Sequence, residues 1–170
     1  MSRAKRTAAV PGRIRVGETP AVRQSAVRPS APVVVVHSLA HAVAALMSAA
    51  ETGREIVIAS APDAGIYAGP GWWRALVEAA RAAVPTARAT ALLDCGDDVG
   101  AAQGAIRADV EGIVFTGRTD VAARLADIAG QSGAMLLTCR PQPALDLGGQ
   151  FFADPDTLCR HCAEVLASVT

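Results

Sequence analysis

The chain has 170 residues, of which 51% are apolar and 4% aromatic, and its mean hydropathy is +0.30. This composition excludes wholesale disorder, because it supplies enough apolar material for the core of one domain. The formal net charge is zero only by cancellation, since seven of the 16 Lys and Arg residues lie within the first 31 positions beside a single acid.

Residues 1–31 are predicted to form a flexible basic N-terminal arm, because they show no sustained hydrophobic period and contain three prolines. A solvated extension is the main interpretation of this arm, and docking onto an acidic protein partner or onto the chain's own domain is the alternative. Nucleic acid is not an expected ligand, because the rest of the chain carries nine Arg against fifteen acids and therefore lacks a basic field.

The stretch from Pro29 to Ala50 carries no charged residue, yet we do not expect it to span a membrane. It contains Pro32, two His and three Ser, and its pattern divides into a strand followed by an amphipathic helix. No apolar signal segment follows the N-terminal charges, so the protein is expected in the cytoplasm with its four cysteines reduced.

Five short apolar runs, rich in β-branched residues or Leu, predict five strands. They are residues 33–36, 56–59, 89–93, 113–115 and 135–138. Each run is continuously apolar, which is typical of parallel strands covered on their faces. Between the runs, apolar residues recur with helical spacing and predict buried helix stripes, such as Leu39, Val43, Leu46, Met47 and Ala50, and then Trp73, Leu76, Val77 and Ala80. A last helix is predicted to begin at Asp154 and Pro155.

Alternating strands and helices predict a single α/β domain over residues 32–170. The expected architecture is a five-stranded, mainly parallel sheet with helices on both faces, in a flavodoxin-like three-layer arrangement. A half βα barrel that completes itself by dimerising is the alternative, and it would make the protein a homo-oligomer.

One repeat unit is longer than the others. Equivalent strand positions lie 22 residues apart in three units, whereas Ile58 and Leu93 lie 35 apart. The extra residues follow the second predicted strand and include Tyr67, Trp72 and Trp73. We interpret this insertion as a lid or pocket wall, or alternatively as a structural loop that caps the core.

Polar residues follow every predicted strand, and the carboxyl ends of parallel strands share one edge of a sheet. The candidate ligand-binding residues at this edge are Asp63, Tyr67, Trp72, Thr116, Gly117, Arg118, Thr119 and Arg140. Such a set suits a small anionic molecule. The segment from Thr116 to Thr119 leads into a helix whose first amides, helped by Arg118, are a candidate phosphate site, although ordinary capping by Thr119 is the more common explanation of such a segment.

Asp94 and His37 are the candidate catalytic residues. Asp94 ends an apolar strand, so its carboxylate should be partly desolvated, as acid–base catalysis requires. His37 follows the first strand and is a candidate general acid or base. No metal and no cofactor are predicted, since Cys159 and Cys162 lie inside a helix without further zinc ligands nearby in sequence.

The residues 105–117, AIRADVEGIVFTG, resemble the helix-to-strand step of aldolase-like, phosphate-binding βα-barrel units. This resemblance implies a βα-barrel fragment that binds a phosphorylated substrate. A Schiff-base aldolase mechanism does not fit, because the sole lysine is Lys5 in the arm.

A weaker resemblance is to response-regulator receiver domains, in which Asp94 matches the phosphoacceptor position, Thr116 the switch hydroxyl, and Arg140-Pro141 the Lys-Pro pair. His37 stands where that family has an acidic pair. The leading hypothesis is a protein that binds a small phosphorylated or carboxylated metabolite, with lyase-like chemistry at Asp94. The alternative is a non-catalytic regulatory or adaptor module that binds a protein through the basic arm and the aromatic insertion.

Overall fold

A computed structural model describes residues 31–169 of the chain. Over this range, parallel β-strands alternate with α-helices, which confirms the α/β class and the parallel sheet predicted from the sequence. Apart from Ala31, the predicted basic arm lies outside the described residues. No helix within residues 31–169 combines the length and the apolar character needed to cross a membrane.

The described residues form six strands rather than the five predicted. They are β1 (Val33–Val36), β2 (Glu55–Ser60), β3 (Arg88–Asp94), β4 (Gly112–Val114), β5 (Met135–Leu137) and β6 (Leu145–Asp146). The first five agree with the predicted runs to within one residue at either end. The sixth has two residues, too few for a hydrophobic period, and it exists because it pairs with β1.

Six α-helices lie in the described part of the chain. They are α1 (Leu39–Thr52), α2 (Ala64–Tyr67), α3 (Gly69–Ala83), α4 (Val99–Arg107), α5 (Thr119–Gln131) and α6 (Pro155–Ser168). The predicted start of α6 is confirmed, because the Asp154 side chain accepts a hydrogen bond from the Thr157 N–H and Pro155 occupies the first turn. Gly53 ends α1 at a φ of 65°, a left-handed conformation that glycine adopts without strain.

The strand order is β5-β4-β3-β2-β1-β6, and every neighbouring pair is parallel. From β1 to β5 the chain adds each strand at the same edge, so right-handed crossovers place the intervening helices on the same face. This distribution of helices differs from the flavodoxin-like prediction, in which a reversal of winding direction puts helices on both faces. The consecutive order is that of a βα barrel.

Two apolar clusters lie on opposite faces of the sheet. The larger cluster joins the helices to inward-facing strand residues such as Val34, Ile58 and Leu93. The smaller cluster lies on the opposite face, here called the second face, and consists of Val33, Val35, Val57, Ala59, Leu92 and Val114. Part of the second face is covered by the connection from β5 to β6, residues 138–144, which is the third layer of the fold.

The buried face of helix α1 consists mainly of small residues. Its Ala42, Ala45 and Leu46 are fully buried, whereas Leu39 and Met47, two of the residues expected on the buried stripe, are largely exposed. The helix packs closely against α6 and α3 as well as against the sheet, and Ala allows this close approach on several sides. The stripe predicted for α3, which includes Trp73 and Leu76, is confirmed.

Candidate functional site

A cavity of about 110 Å³ opens at the carboxyl edge of the sheet, on its second face. We call it the carboxyl-edge cavity. Its apolar floor consists of Val33, Val35, Ala59, Leu92 and Val114, and its remaining lining consists of Ser60, Pro62, Asp94, Arg140, Pro141, Pro143 and Asp146. The floor residues are five of the six members of the smaller apolar cluster, so the second face is open to a ligand at this cavity.

The polar residues of the cavity reach it because parallel strands end at one edge. Ser60 is the last residue of β2, Asp94 of β3 and Asp146 of β6. Arg140 follows β5, which lies two strands away from β3. The chain must then cross the whole sheet to pair β6 with β1, and this crossing carries Arg140 back to Asp94.

Asp94 is a buried carboxylate with four hydrogen bonds; the residue is 5% exposed. Its Oδ1 accepts from the backbone N–H of Asp63 at 3.0 Å and of Gly96 at 2.9 Å. Arg140 donates from Nε to Oδ2 at 2.6 Å and from Nη2 to Oδ1 at 3.1 Å. The Asp94 N–H is bound to Ser60 Oγ at 2.9 Å. Both carboxylate oxygens are therefore engaged, which makes Asp94 an anchor for Arg140.

Arg140 also forms an ion pair with Asp63, whose Oδ1 accepts from Nη2 at 2.7 Å. The side chains of Arg140 and Asp63 are 43% and 52% exposed. The hydrogen bonds to Asp94 and the negative charges of Asp94 and Asp63 raise the pKa of Arg140, against the opposing effect of partial burial. Asp63 has a φ of 61°, and a Cβ at Gly96 would overlap its carboxylate.

A second polar pair consists of His37 and Asp146, of which Asp146 lines the cavity and His37 does not. His37 Nε2 is 2.7 Å from Asp146 Oδ1, which also accepts from the Gly148 N–H at 2.8 Å. Partial burial disfavours the charged form of Asp146, but the Gly148 N–H and the bond to His37 together lower its pKa. Asp146 thus stays ionised and holds the imidazole of His37 in one orientation.

His41 lies behind this pair and is fully buried. Its Nδ1 accepts from the His37 N–H at 3.2 Å, and its Nε2 lies 3.4 Å from the carbonyl of Gln150. Burial is the main cause that lowers the pKa of His41. His41 is therefore neutral near pH 7 and connects the start of α1 to the segment after β6.

The structure brings three of the predicted site residues, Asp63, Asp94 and Arg140, into one network, and it places His37 beside Asp146. Tyr67 is 68% exposed, and its pKa is raised by partial burial and by the charges of Asp63 and Asp94. Tyr67 therefore lies within the field of this network, but outside the lining of the carboxyl-edge cavity.

The other predicted ligand-binding residues lie elsewhere. Trp72 lies on α3, with its ring centroid 6.0 Å from that of Trp73. Thr116 donates its N–H to the carbonyl of Gly96 at 2.7 Å, and a side chain at Gly117 would overlap the ring of Phe115.

Arg118 precedes α5, and its side chain is 81% exposed and paired with Asp120. Thr119 is the first residue of α5, and the capping position belongs to Arg118, which makes no side-chain cap hydrogen bond. The alternative explanation, that Thr119 caps this helix, is therefore wrong. None of the four residues 116–119 lines the carboxyl-edge cavity.

Sequence reasoning missed Asp146, because β6 was not predicted. The signal was present in the short Leu145-Asp146 pair followed by glycines, which repeats on a small scale the pattern of a strand ending in a carboxylate. Within residues 31–169, no group of three or more His, Cys, Asp or Glu side chains is placed to hold a metal ion.

Two buried cysteines, Cys95 and Cys162, are poor nucleophiles. Burial, with the charges of Asp94 and Asp98 adding to it, raises the pKa of Cys95 to about 12. Cys162 is fully buried in α6, and burial raises its pKa to about 11. Both thiols are therefore protonated at neutral pH.

Comparison of the chain with protein-family models and with curated proteins gave no match.

Proposed function

We propose that this protein binds a small carboxylated or phosphorylated metabolite in the cytoplasm, at the carboxyl-edge cavity. The observation that carries this proposal is Arg140, which is held by a buried carboxylate at the mouth of an apolar cavity. Its Nη1 makes no hydrogen bond with any side chain or carbonyl of residues 31–169. A guanidinium that is fixed in place with unused N–H groups binds anionic oxygens with little loss of side-chain entropy.

The shape of the cavity supports a ligand with an apolar part. Val35, Leu92 and Val114 provide a floor that hydrates poorly, so a short carbon chain gains free energy by covering it. The polar end of such a ligand would then meet Arg140 at the rim. This combination of an apolar body and one fixed polar contact is typical of small-molecule sites.

For lyase-like chemistry on this ligand, we assign proton transfer to His37 in preference to Asp94. The oxygens of Asp94 already accept four hydrogen bonds, whereas His37 is oriented by the ionised Asp146 and keeps its Nδ1 for another partner. An imidazole oriented by a carboxylate is a recurrent acid–base arrangement. The catalytic roles of both residues stay predictions.

Calorimetric titration of the full chain with butyrate and with inorganic phosphate tests the binding proposal. We expect Arg140→Gln to weaken binding at least tenfold while circular dichroism shows a folded protein. Arg74→Gln is the matched control, because Arg74 is also an exposed arginine in an ion pair but lies outside this cavity. Equal binding by the wild type and Arg140→Gln would refute the proposal, and loss of phosphate binding in Arg118→Gln alone would move the site to the start of α5.

The adaptor function is a second candidate, favoured by the exposure of Ile66 and Tyr67 in the aromatic insertion. Exposed apolar side chains of this size are typical of protein contacts. An adaptor that also uses the basic arm would bind an acidic partner in a salt-sensitive way. We expect Tyr67→Ala to abolish binding of this acidic partner to the full chain. Replacement of the arm's seven basic residues by Gln should have the same effect.

A further inference from the structure

Arg140 has two carboxylate partners that differ in kind. Asp94 is buried and accepts from both Nε and Nη2 of Arg140, as well as from two backbone N–H groups. Asp63 is half exposed, and its carboxylate has one hydrogen-bond partner among the described residues, Nη2 of Arg140. The Asp94 carboxylate is thus fixed by four hydrogen bonds, whereas the Asp63 carboxylate is held by one.

The backbone of Asp63 is fixed independently of its side chain. Its N–H donates to Asp94, and its φ of 61° and ψ of 13° place it in the left-handed region, which Asp and Asn tolerate better than most residues. Rotation of the Asp63 side chain would therefore free one N–H of Arg140 Nη2 without moving the loop, while the other N–H of Nη2 stays bound to Asp94. The release requires the loss of one exposed ion pair, whose contribution is small.

The charge balance determines how an anion binds here. Asp63, Asp94 and Arg140 together carry one net negative charge, so an anionic ligand added to this intact group is repelled. A ligand carboxylate that takes the place of the Asp63 carboxylate leaves this balance at Arg140 unchanged. It would accept from the freed N–H of Nη2 and from the unused Nη1, which together form the two-pronged donor pair that a planar carboxylate accepts.

We propose that the Asp63 carboxylate is an internal competitor that occupies a carboxylate subsite on Arg140, and that the ligand of this site is a carboxylate rather than a phosphate. This inference rests on the proposed function. A phosphate dianion brings more negative charge next to the buried Asp94 than the Asp63 carboxylate that it displaces. A ligand carboxylate carries the same charge as the Asp63 carboxylate and leaves the local charge unchanged. The removal of Asp63 should therefore tighten the binding of carboxylates.

The test uses calorimetric titration of the full chain with butyrate, and in parallel with inorganic phosphate. Asp63→Asn removes the charge and keeps a residue that tolerates a positive φ, and Asp63→Gly removes the side chain at a φ that glycine adopts freely. We expect both variants to bind butyrate about two- to fivefold more tightly than the wild type, which corresponds to the loss of one exposed ion pair. Glu78→Gln is the matched control, because Glu78 is an exposed carboxylate paired with Arg74.

Each outcome separates this inference from the proposed function. If the wild type binds butyrate and the two Asp63 variants bind it equally or more weakly, the competitor role is refuted while the binding function stands. If the wild type binds inorganic phosphate more tightly than butyrate, the assignment to carboxylates is refuted. If neither the wild type nor the variants bind either anion, both the inference and the proposed function fail.

Discussion

The ion pair between Arg140 and Asp94 makes a strong prediction about stability. Arg140→Gln removes two charge-assisted hydrogen bonds, of 2.6 and 3.1 Å, from a carboxylate that is 5% exposed. Each such bond contributes roughly 1.5–3 kcal/mol when it is shielded from water. The Arg140 side chain is 43% exposed, so water replaces part of what is lost. We therefore expect the free energy of unfolding to fall by about 2 kcal/mol.

Urea denaturation followed by far-UV circular dichroism measures this loss, and a thermal melt should show a decrease in Tm of about 5–8 °C. Asp94→Asn should lower stability by a similar amount, because an Asn side chain cannot accept all four hydrogen bonds of the carboxylate. The double variant should lose less than the sum of the two single losses, with a coupling energy of about 1–2 kcal/mol.

The reasoning would be refuted by additive effects of the two substitutions, or by a loss below about 0.5 kcal/mol for Arg140→Gln, which is the range of ordinary surface changes. In the second case, Arg140 would be a loosely attached surface side chain, and Asp94 would lie unpaired at the rim. Arg74→Gln provides the scale for comparison, because its ion pair with Glu78 is exposed on both sides.

Three further predictions concern other parts of the fold. Burial lowers the pKa of His41, so below about pH 6.5 the imidazole binds a proton more readily in the unfolded state than in the folded state. The free energy of unfolding should therefore decrease as the pH falls below about 6.5, with a slope of up to about 1.4 kcal/mol per pH unit. His41→Asn should flatten this part of the profile in a series of urea titrations. Trp72→Phe, which leaves the buried Trp73, should give fluorescence that acrylamide quenches less than that of Trp73→Phe. Gly53→Ala should lower the free energy of unfolding by about 1 kcal/mol in the same urea assay, because its φ of 65° strains any residue with a Cβ.

The strands were predictable because each needs only a local signal. Val33–Val36 and the core of Glu55–Ser60 are continuous apolar runs, and such runs indicate buried parallel strands wherever they occur. Strand β6 lacks that signal, since its two residues become a strand only by pairing with β1. The face that each helix buries was less predictable, as Leu39 and Met47 show, because the neighbours of α1 decide which side is covered.

The candidate site was predictable in part for the same reason. That Asp63, Asp94 and Arg140 lie at one edge follows from the rule that parallel strands end together. Arg118 satisfies this rule as well, yet its exposed side chain pairs with Asp120 and takes no part in the network. The rule predicts which residues lie along the carboxyl edge of the sheet, but it does not predict which of their side chains form contacts with one another.

The sequence by itself determined the α/β class, the order and approximate bounds of five strands, and the set of polar residues at their carboxyl ends. These properties depend on local composition and on the spacing of apolar residues along the chain. Only the tertiary structure decided the winding of the sheet, the pairing of β6 with β1, and the meeting of Arg140 with Asp94 and of His37 with Asp146. Those contacts join residues 46 and 109 positions apart, and the free energy that selects them arises when the chain closes across the second face.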